Sequence, residues 1–396
     1  MIKNTPKLRF NEYSDNWIEC PLSDLANLAR GKFSVRPRND PRYFGGNIPF
    51  IQTSDIVKSS IYVEQYSQTL NELGLKVSKV FPVGTIMITI AANIGDVAIL
   101  KYPMACPDSL VGIEAKEFVA NNIWLMYSLL LKKDELESLA TQNAQKNINL
   151  QILNSLNIFI PAYQEQTKIA NFLSSVDKKI TLTYRKIELL QQYKKGMIQK
   201  LFSQKIRFKD DNGCLFSKWE QTTLSCVASI TMGTSPGSSY YNTNQNGLPL
   251  IQGNADIKNK YSKPRVYTSQ ITKECHYNDI LLSVRAPVGE VARSKHHACI
   301  GRGIAALKAN GRNDQEFLYQ LLLSIENKWD RISQGSTFES INTNDIKTLP
   351  IEVPSLSEQK KIADFLSSID DKITIENNKL DKLKQWKQGL LQQMFV

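Results

Sequence analysis

PAYQEQTKIANFLSSVDKKI occupies residues 161–180, and PSLSEQKKIADFLSSIDDKI occupies residues 354–373. One chain thus carries the same segment twice. The match extends well beyond it. Residues 156–202 align with 349–395 without a gap. Upstream, Asn147-Ile148-Asn149 parallels Ser340-Ile341-Asn342, and GTIMITIAANIGDVAIL (84–100) parallels NDILLSVRAPVGEVARS (278–294). PFIQTSDI (49–56) parallels PLIQGNADI (249–257), and Trp17 upstream of PLSDL has a partner in Trp219 upstream of TTLSC. The blocks come in the same order in both halves. This is a two-fold internal duplication, much longer than a solenoid repeat.

Each half changes texture once. Its first part is rich in Gly, Pro, Asn and short β-branched runs. IMITI and ILLSV read as strands, whereas Asn122–Leu131 and 316–325 read as helices. The last ~40 residues of each half have a sustained helical pattern. Apolar residues fall at Ile169, Leu173, Val176, Ile180, Ile187, Leu190, Met197 and Leu201. The second copy has Ile362, Leu366, Ile369, Ile373, Leu380, Leu383, Leu390 and Met394. Alternating steps of four and three make a coiled-coil seam. Thr183, Lys194, Glu376 and Lys387 fall on this seam and are expected to weaken it. Ser355 and Glu358 read as a capping box that Ala162 removes from the first copy. Such a helix is a rod of roughly 55 Å, and its simplest partner is the other copy. Gly196 and Gly389 occupy matched points, which suggests a close approach to a neighbouring backbone.

The chain has 396 residues, net charge +11 and a pI of about 9.2. Two or three domains fit that length, and the basic excess favours a polyanionic partner, nucleic acid before membrane. The first residues lack the apolar region of a signal peptide, and no apolar run reaches membrane-spanning length. Six scattered cysteines and three histidines in one half make a zinc site improbable, so no metal site is expected. The cysteines fit a reduced, cytoplasmic protein.

No catalytic constellation emerges. Asp40-Pro41-Arg42-Tyr43 lacks the second proline of an adenine-methylase motif, and there is no G-x-G-x-x-G or P-loop. Pro107-Asp108…Glu114-x-Lys116 resembles a metal-nuclease pattern. Its counterpart, Gly301-Arg302…Ala306-Leu307-Lys308, has lost both carboxylates. His296-His297, beside Arg293 and Lys295, reads as basic surface.

Binding loops fit better. GKFSVRPRNDPRY supplies Lys32, Arg36, Arg38 and Arg42, and the matched GTSPGSSYYN supplies Thr234, Ser235, Tyr240 and Tyr241. Gln52 and Thr53, and Gln252 and Asn254, follow a matched strand, where Gln or Asn can read adenine edges and Thr53 or Asn254 can cap a helix. Asn93 and Arg285 lie in the matched hairpin. Lys146, Ser336 and Thr337 lie in polar segments before the last strand of each half. These types suit phosphate and base-edge contacts.

The two helix blocks, with YKKGMIQKLF and WKQGLLQQMF, and the ITIAANIGDVAIL and LLSVRAPVGEVA blocks resemble the specificity (S) subunit of type I restriction–modification systems over the entire chain. The resemblance implies an α+β fold: two repeated mixed α/β target recognition domains separated by two long helices that pair as an antiparallel coiled coil with pseudo-two-fold symmetry. The expected segments are 1–160, first recognition domain; 161–204, central helix; 205–353, second recognition domain; and 354–396, second helix.

It further implies a subunit without catalysis of its own, each domain reading half of an asymmetric bipartite site in double-stranded DNA. The implied partners are two modification subunits, which use S-adenosylmethionine to methylate adenine N6, and restriction subunits, which use ATP and Mg²⁺ and cut DNA. No cofactor is expected in this chain. Ile169, Leu173, Val176, Ile180, Gly196, Ile362, Leu366, Ile369, Ile373 and Gly389 are expected to pack the coil or dock those partners. Recognition residues of the family form no fixed motif, so no base contact transfers by position. A scaffolding coiled-coil protein is the main alternative, which duplex binding at moderate salt would dismiss. A divergent nuclease is the other, which metal-dependent cutting would revive.

Overall fold

The computed structural model describes residues 4–141, 147–329 and 340–396. The chain forms two compact units: Met1–Arg185 with Asn378–Val396, and Lys186–Asn377. The first long helix, Tyr163–Phe202, and the second, Leu356–Met394, each contribute one half to each unit.

In the first unit, the largest sheet has the order Ala26–Arg30, Leu110–Ala115, Ile86–Thr89, Val97–Leu100, Tyr62–Val63. Its neighbours are antiparallel except the last pair. A four-stranded sheet is built from Gln68–Leu70, Phe44–Phe50, Met104–Cys106 and Lys79–Phe81. Ile18–Pro21 pairs separately with Asn157–Ile160. The second unit repeats this plan around Ala228–Met232, Ile304–Ala309, Ile280–Ser283 and Val291–Arg293, with Leu248–Ile251 beside Ala298–Ile300 in the second sheet.

IMIT and ILLS are buried at every residue because both faces of their sheet are covered. Side chains alternate between two cores. Ile86, Ile88, Ile99, Val111 and Ile113 face a helical layer, and Met87, Ala98, Leu100 and Leu110 face the other way. Ile280, Leu282 and Leu307 against Leu281, Ala292 and Ala306 repeat the split. The helical layer includes Asn122–Leu131 in one unit and Gln315–Ser324 in the other, capped by the side chains of Asn121 and Asp314.

The long helices pair antiparallel within each unit, since the start of one lies with the end of the other. In the second unit Lys186 meets Glu376 and Lys194 meets Asp370, each within 2.7 Å. In the first, Lys387 meets Asp177 at 2.7 Å. Thr183 donates to Lys179 O at 2.8 Å. The polar seam positions are therefore satisfied rather than weak points. Ile169, Leu173 and Val176, and Ile362, Leu366 and Ile369, are buried, while Ile180 and Ile373 are half-buried at the edges of the two clusters. The seam serves more than the helix pair. Ile169 and Leu173 share a core with Trp124, Leu390 and Met394, and Ile362 and Leu366 share one with Phe317 and Leu201.

Two expectations require correction. Glu358 does not serve a capping box: its buried carboxylate takes two hydrogen bonds from Arg207, at 2.6 and 3.1 Å. Glu165 takes two from Arg9 at 2.8 Å, the same lock in the other unit. The neighbouring Gln166 and Gln359 are also buried, and their Oε1 atoms accept from the Asn121 and Asp314 amides at 2.9 Å. The repeated Glu-Gln pair thus ties each long helix to an upstream strap and to the capped helix. The second correction concerns the glycines. An added Cβ at Gly196 would meet nothing within 4 Å, and at Gly389 only Gln393 Nε2 at 3.9 Å. No neighbouring backbone among the described residues requires either glycine.

Candidate nucleic-acid interface

In both units three turns gather at one end of the main sheet, because its antiparallel register brings Arg30, Thr89 and Leu110 to the same edge. In the second unit Met232, Ser283 and Ile304 do this. The connection at 31–43 corresponds to 233–241, the hairpin at 90–95 to 284–290, and the turn at 107–109 to 301–303. Gly31 and Gly233 are required here, since a Cβ on either would lie 2.2 Å from a backbone oxygen of the third turn. Ile51 and Gly301 complete the assembly, donating to Ala105 O and Ile251 O.

Below this surface a buried carboxylate holds each glutamine. Asp55 Oδ2 accepts the Gln52 amide at 2.8 Å, and Asp256 Oδ2 accepts the Gln252 amide at 2.9 Å. Ser67 and Arg265 hold the same two acids. Both aspartates lie inside the repeated blocks PFIQTSDI and PLIQGNADI. Sequence reasoning chose their more exposed neighbours, although an acid at matched positions after a buried strand is a usable signal. Gln52 itself precedes the helix Thr53–Lys58 as its cap, and Gly253 precedes Asn254–Asp256, so neither Thr53 nor Asn254 caps. Gln52 Nε2 reaches Gln68, and Gln252 Nε2 donates to Tyr241 O–H at 2.7 Å.

The basic loop is less available than its composition suggests. Arg38 is paired with Asp108, at 2.7 Å. Arg42 is paired with Asp40 at 2.6 Å, and the guanidinium holds that carboxyl below its usual range. Arg36 donates to Val35 O at 2.8 Å. Lys32 is exposed, and its ammonium has no partner among the described residues. Asn93 sits exposed at φ 50° in its turn.

In the second unit Ser235 Oγ accepts the Arg302 amide at 3.1 Å, and Tyr241 donates to Pro236 O at 3.1 Å. Thr234 O accepts from the Thr272 hydroxyl, and Tyr240 is 48% exposed beside them. Arg285 is exposed and bridges to Ser340 through its backbone. Ser235, Tyr241 and Gln252 are brought together; Arg285 lies on the adjacent hairpin. Lys146, Ser336 and Thr337 fall outside the described residues.

Arg302 is the residue that sequence reasoning passed over. It stands exposed between Gly301 and Gly303, with no side-chain partner among the described residues. The matched position in the first unit is Asp108, so the same turn carries opposite charge. A Gly-Arg-Gly turn was visible in the sequence, but its place beside Ser235 and Gln252 was not. The nuclease-like spacing has no shared site: Asp108 and Glu114 stand near opposite ends of the strand Leu110–Ala115, roughly 20 Å of extended chain apart. His296 is not free basic surface either. Its Nδ1 lies 2.7 Å from Ser262 Oγ, and burial, then Lys295, pushes its pKa down.

Among the described residues no helix is long and apolar enough to cross a membrane. A family model for the type I restriction modification DNA specificity domain matches residues 14–192 and 217–385. A putative type I restriction enzyme MjaX specificity subunit of Methanocaldococcus jannaschii is 30% identical, with 98% of this chain and 95% of that protein covered. The fold is shared with the crystal structure of a type I restriction–modification S subunit from M. genitalium, at 18% identity, TM-score 0.65 and 99% coverage of both chains. It is also shared with a chain from a structure on assembly and conformational transition of the type I system, at 23% identity and TM-score 0.61, covering 95% of this chain and 96% of that one. Since the family model spans most of both repeats and the archaeal relative matches nearly end to end, this chain belongs to the type I restriction–modification DNA specificity subunits.

Proposed function

We propose that each unit reads one half of an asymmetric bipartite sequence in double-stranded DNA, and that the helix pair sets the spacing between the halves. The observation carrying this is the repeated frame with unlike turns: Asp108 with Arg38 in one unit stands where Arg302 stands in the other. Readers on one frame with different surface charge suit two different half-sites. Arg302 has the fork geometry that pairs with guanine O6 and N7, while Gln52 and Gln252 suit adenine.

On this reading the chain does no chemistry by itself and acts in the cytoplasm, with the segments 1–160 and 205–353 as readers and 161–204 and 354–396 as spacers. Two modification subunits dock on the helices and methylate adenine N6 with S-adenosylmethionine. Restriction subunits add ATP- and Mg²⁺-dependent cleavage. The test is co-expression with the modification subunit and mapping of methylated adenines. One bipartite motif should appear only when both chains are present. Exchanging residues 205–353 for those of a relative should change one half of the motif and leave the spacing intact. A change in both halves, or methyl transfer by this chain alone, would defeat the reading.

A further inference from the structure

The strand Glu274–Cys275 pairs antiparallel with Ala298–Ile300, with Cys275 opposite Ala298. Continuing that register sets His276 opposite His297, and strand alternation puts Glu274 on the same face as His276. The side chains converge accordingly. The two imidazoles stack with centroids 4.8 Å apart and 10° between planes. Glu274 Oε2 lies 2.5 Å from His297 Nε2. One ligand atom from each of the three residues lies within 4.8 Å of the other two.

We propose that Glu274, His276 and His297 form a binding site for one divalent transition-metal ion, with Zn²⁺ as its reference occupant. Two imidazole nitrogens and one carboxylate are borderline donors that suit Zn²⁺, Ni²⁺ or Cu²⁺, whereas Mg²⁺ and Ca²⁺ prefer oxygen alone. Three protein ligands leave one tetrahedral position for water, and all three residues are exposed, so water can fill it. Metal–ligand bonds of about 2.0–2.2 Å require ligand atoms a little over 3 Å apart. Aiming both imidazole lone pairs at one ion turns the stacked rings out of parallel, which their exposure permits. His276 is anchored at its backbone, where its amide donates to Asp279 Oδ2 at 2.7 Å. The same buried carboxylate oxygen stands 3.9 Å from His276 Nδ1.

The site belongs to one unit alone. Matching Leu250 beside Cys299 with Phe50 beside Ala105 places Val80, Pro82 and Pro103 at the three equivalent positions. None can bind a metal, although the fold is the same. The sequence did not suggest the site because its halves lie about twenty residues apart and form no metal-binding spacing of their own. The bridged strand Ala298–Ile300 runs directly into the Gly301-Arg302-Gly303 turn, so an ion here braces the strand that carries Arg302. The proposal needs no particular DNA target.

The experiment uses the full chain with its thiols reduced. Zn²⁺ titration by calorimetry should show one saturable site that Mg²⁺ does not fill. Co²⁺ should give visible d–d bands without thiolate charge transfer. Hydrogen exchange should slow at 273–276 and 297–300 on Zn²⁺ addition. His276→Ala and His297→Ala should each abolish saturable binding, and Glu274→Gln should weaken it. As all three residues are exposed, the metal-free variants should melt like the parent, which keeps lost binding distinct from misfolding. No saturable site in the parent chain, binding retained in both histidine variants, or a Co²⁺ thiolate band from the exposed Cys214 or Cys226 would overturn the proposal.

Discussion

Arg207→Met should unlock the second unit while leaving the first intact. The Glu358 side chain is fully buried, and Arg207 is 17% exposed. The arginine provides two hydrogen bonds to that carboxylate and another to Ser217 O at 2.6 Å. Methionine keeps much of the stem and removes all three donors. Breaking a buried pair by removing one partner costs ~3–5 kcal/mol because the other charge stays buried. The exposed edge of the guanidinium admits some water, so about 2–4 kcal/mol is the expectation. With a urea dependence of about 2 kcal/mol/M, the midpoint of this unit should fall by about 1–2 M. Hydrogen-exchange mass spectrometry across a urea series reads the units separately through their peptides. Arg207→Met with Glu358→Leu should recover most of the loss, because the stranded charge is gone. Arg9→Met should lower the first unit alone, through Glu165. A midpoint unchanged in Arg207→Met, or a double variant no better than the single one, would refute the view that the repeated glutamate is locked by its strap.

Gly196→Ala with Gly389→Ala should raise helix stability by about 1 kcal/mol per site, since neither Cβ is obstructed; a lower melting temperature would contradict this. Arg302→Ala should relax base preference in the second half-site by about 1–3 kcal/mol and leave the first half unchanged in a methylation map. Lys32→Ala should reduce the salt slope of DNA binding by about one, while Arg42→Ala changes it little because Asp40 already pairs with the guanidinium; equal slopes for the two variants would reject that distinction. Burial, then Lys295, holds the His296 pKa below the unfolded value of about 6.5, so its contribution is present above that pH and lost as pH falls towards the folded pKa. Urea midpoints of the second unit at pH 7 and pH 5.5 should therefore converge in His296→Gln relative to the parent; an equal fall in both would exclude this histidine.

Sequence alone determined the duplication, the two long helices and the buried strands, because each is written in local order. The four-three spacing from Ile169 to Leu201 needs only helical periodicity, and IMIT and ILLS need only their bounding turns. Even the residues of the locks were in view, as the same Glu-Gln pair in both copies. What the pair does depends on Arg9 and Arg207, which lie 156 and 151 residues from their glutamates, and no periodicity links such positions. Tertiary structure also decided that Lys194 and Lys387 are satisfied on the seam by Asp370 and Asp177, and that a Cβ at Gly196 or Gly389 would meet no neighbouring backbone among the described residues. The same holds for the interface. A run of arginines is legible as composition, but its free charge is set by acids such as Asp108, which arrives from a turn 70 residues away. Local chemistry fixes what each segment is able to form; long-range pairing decides which of its charged and polar groups remain unspent for a partner.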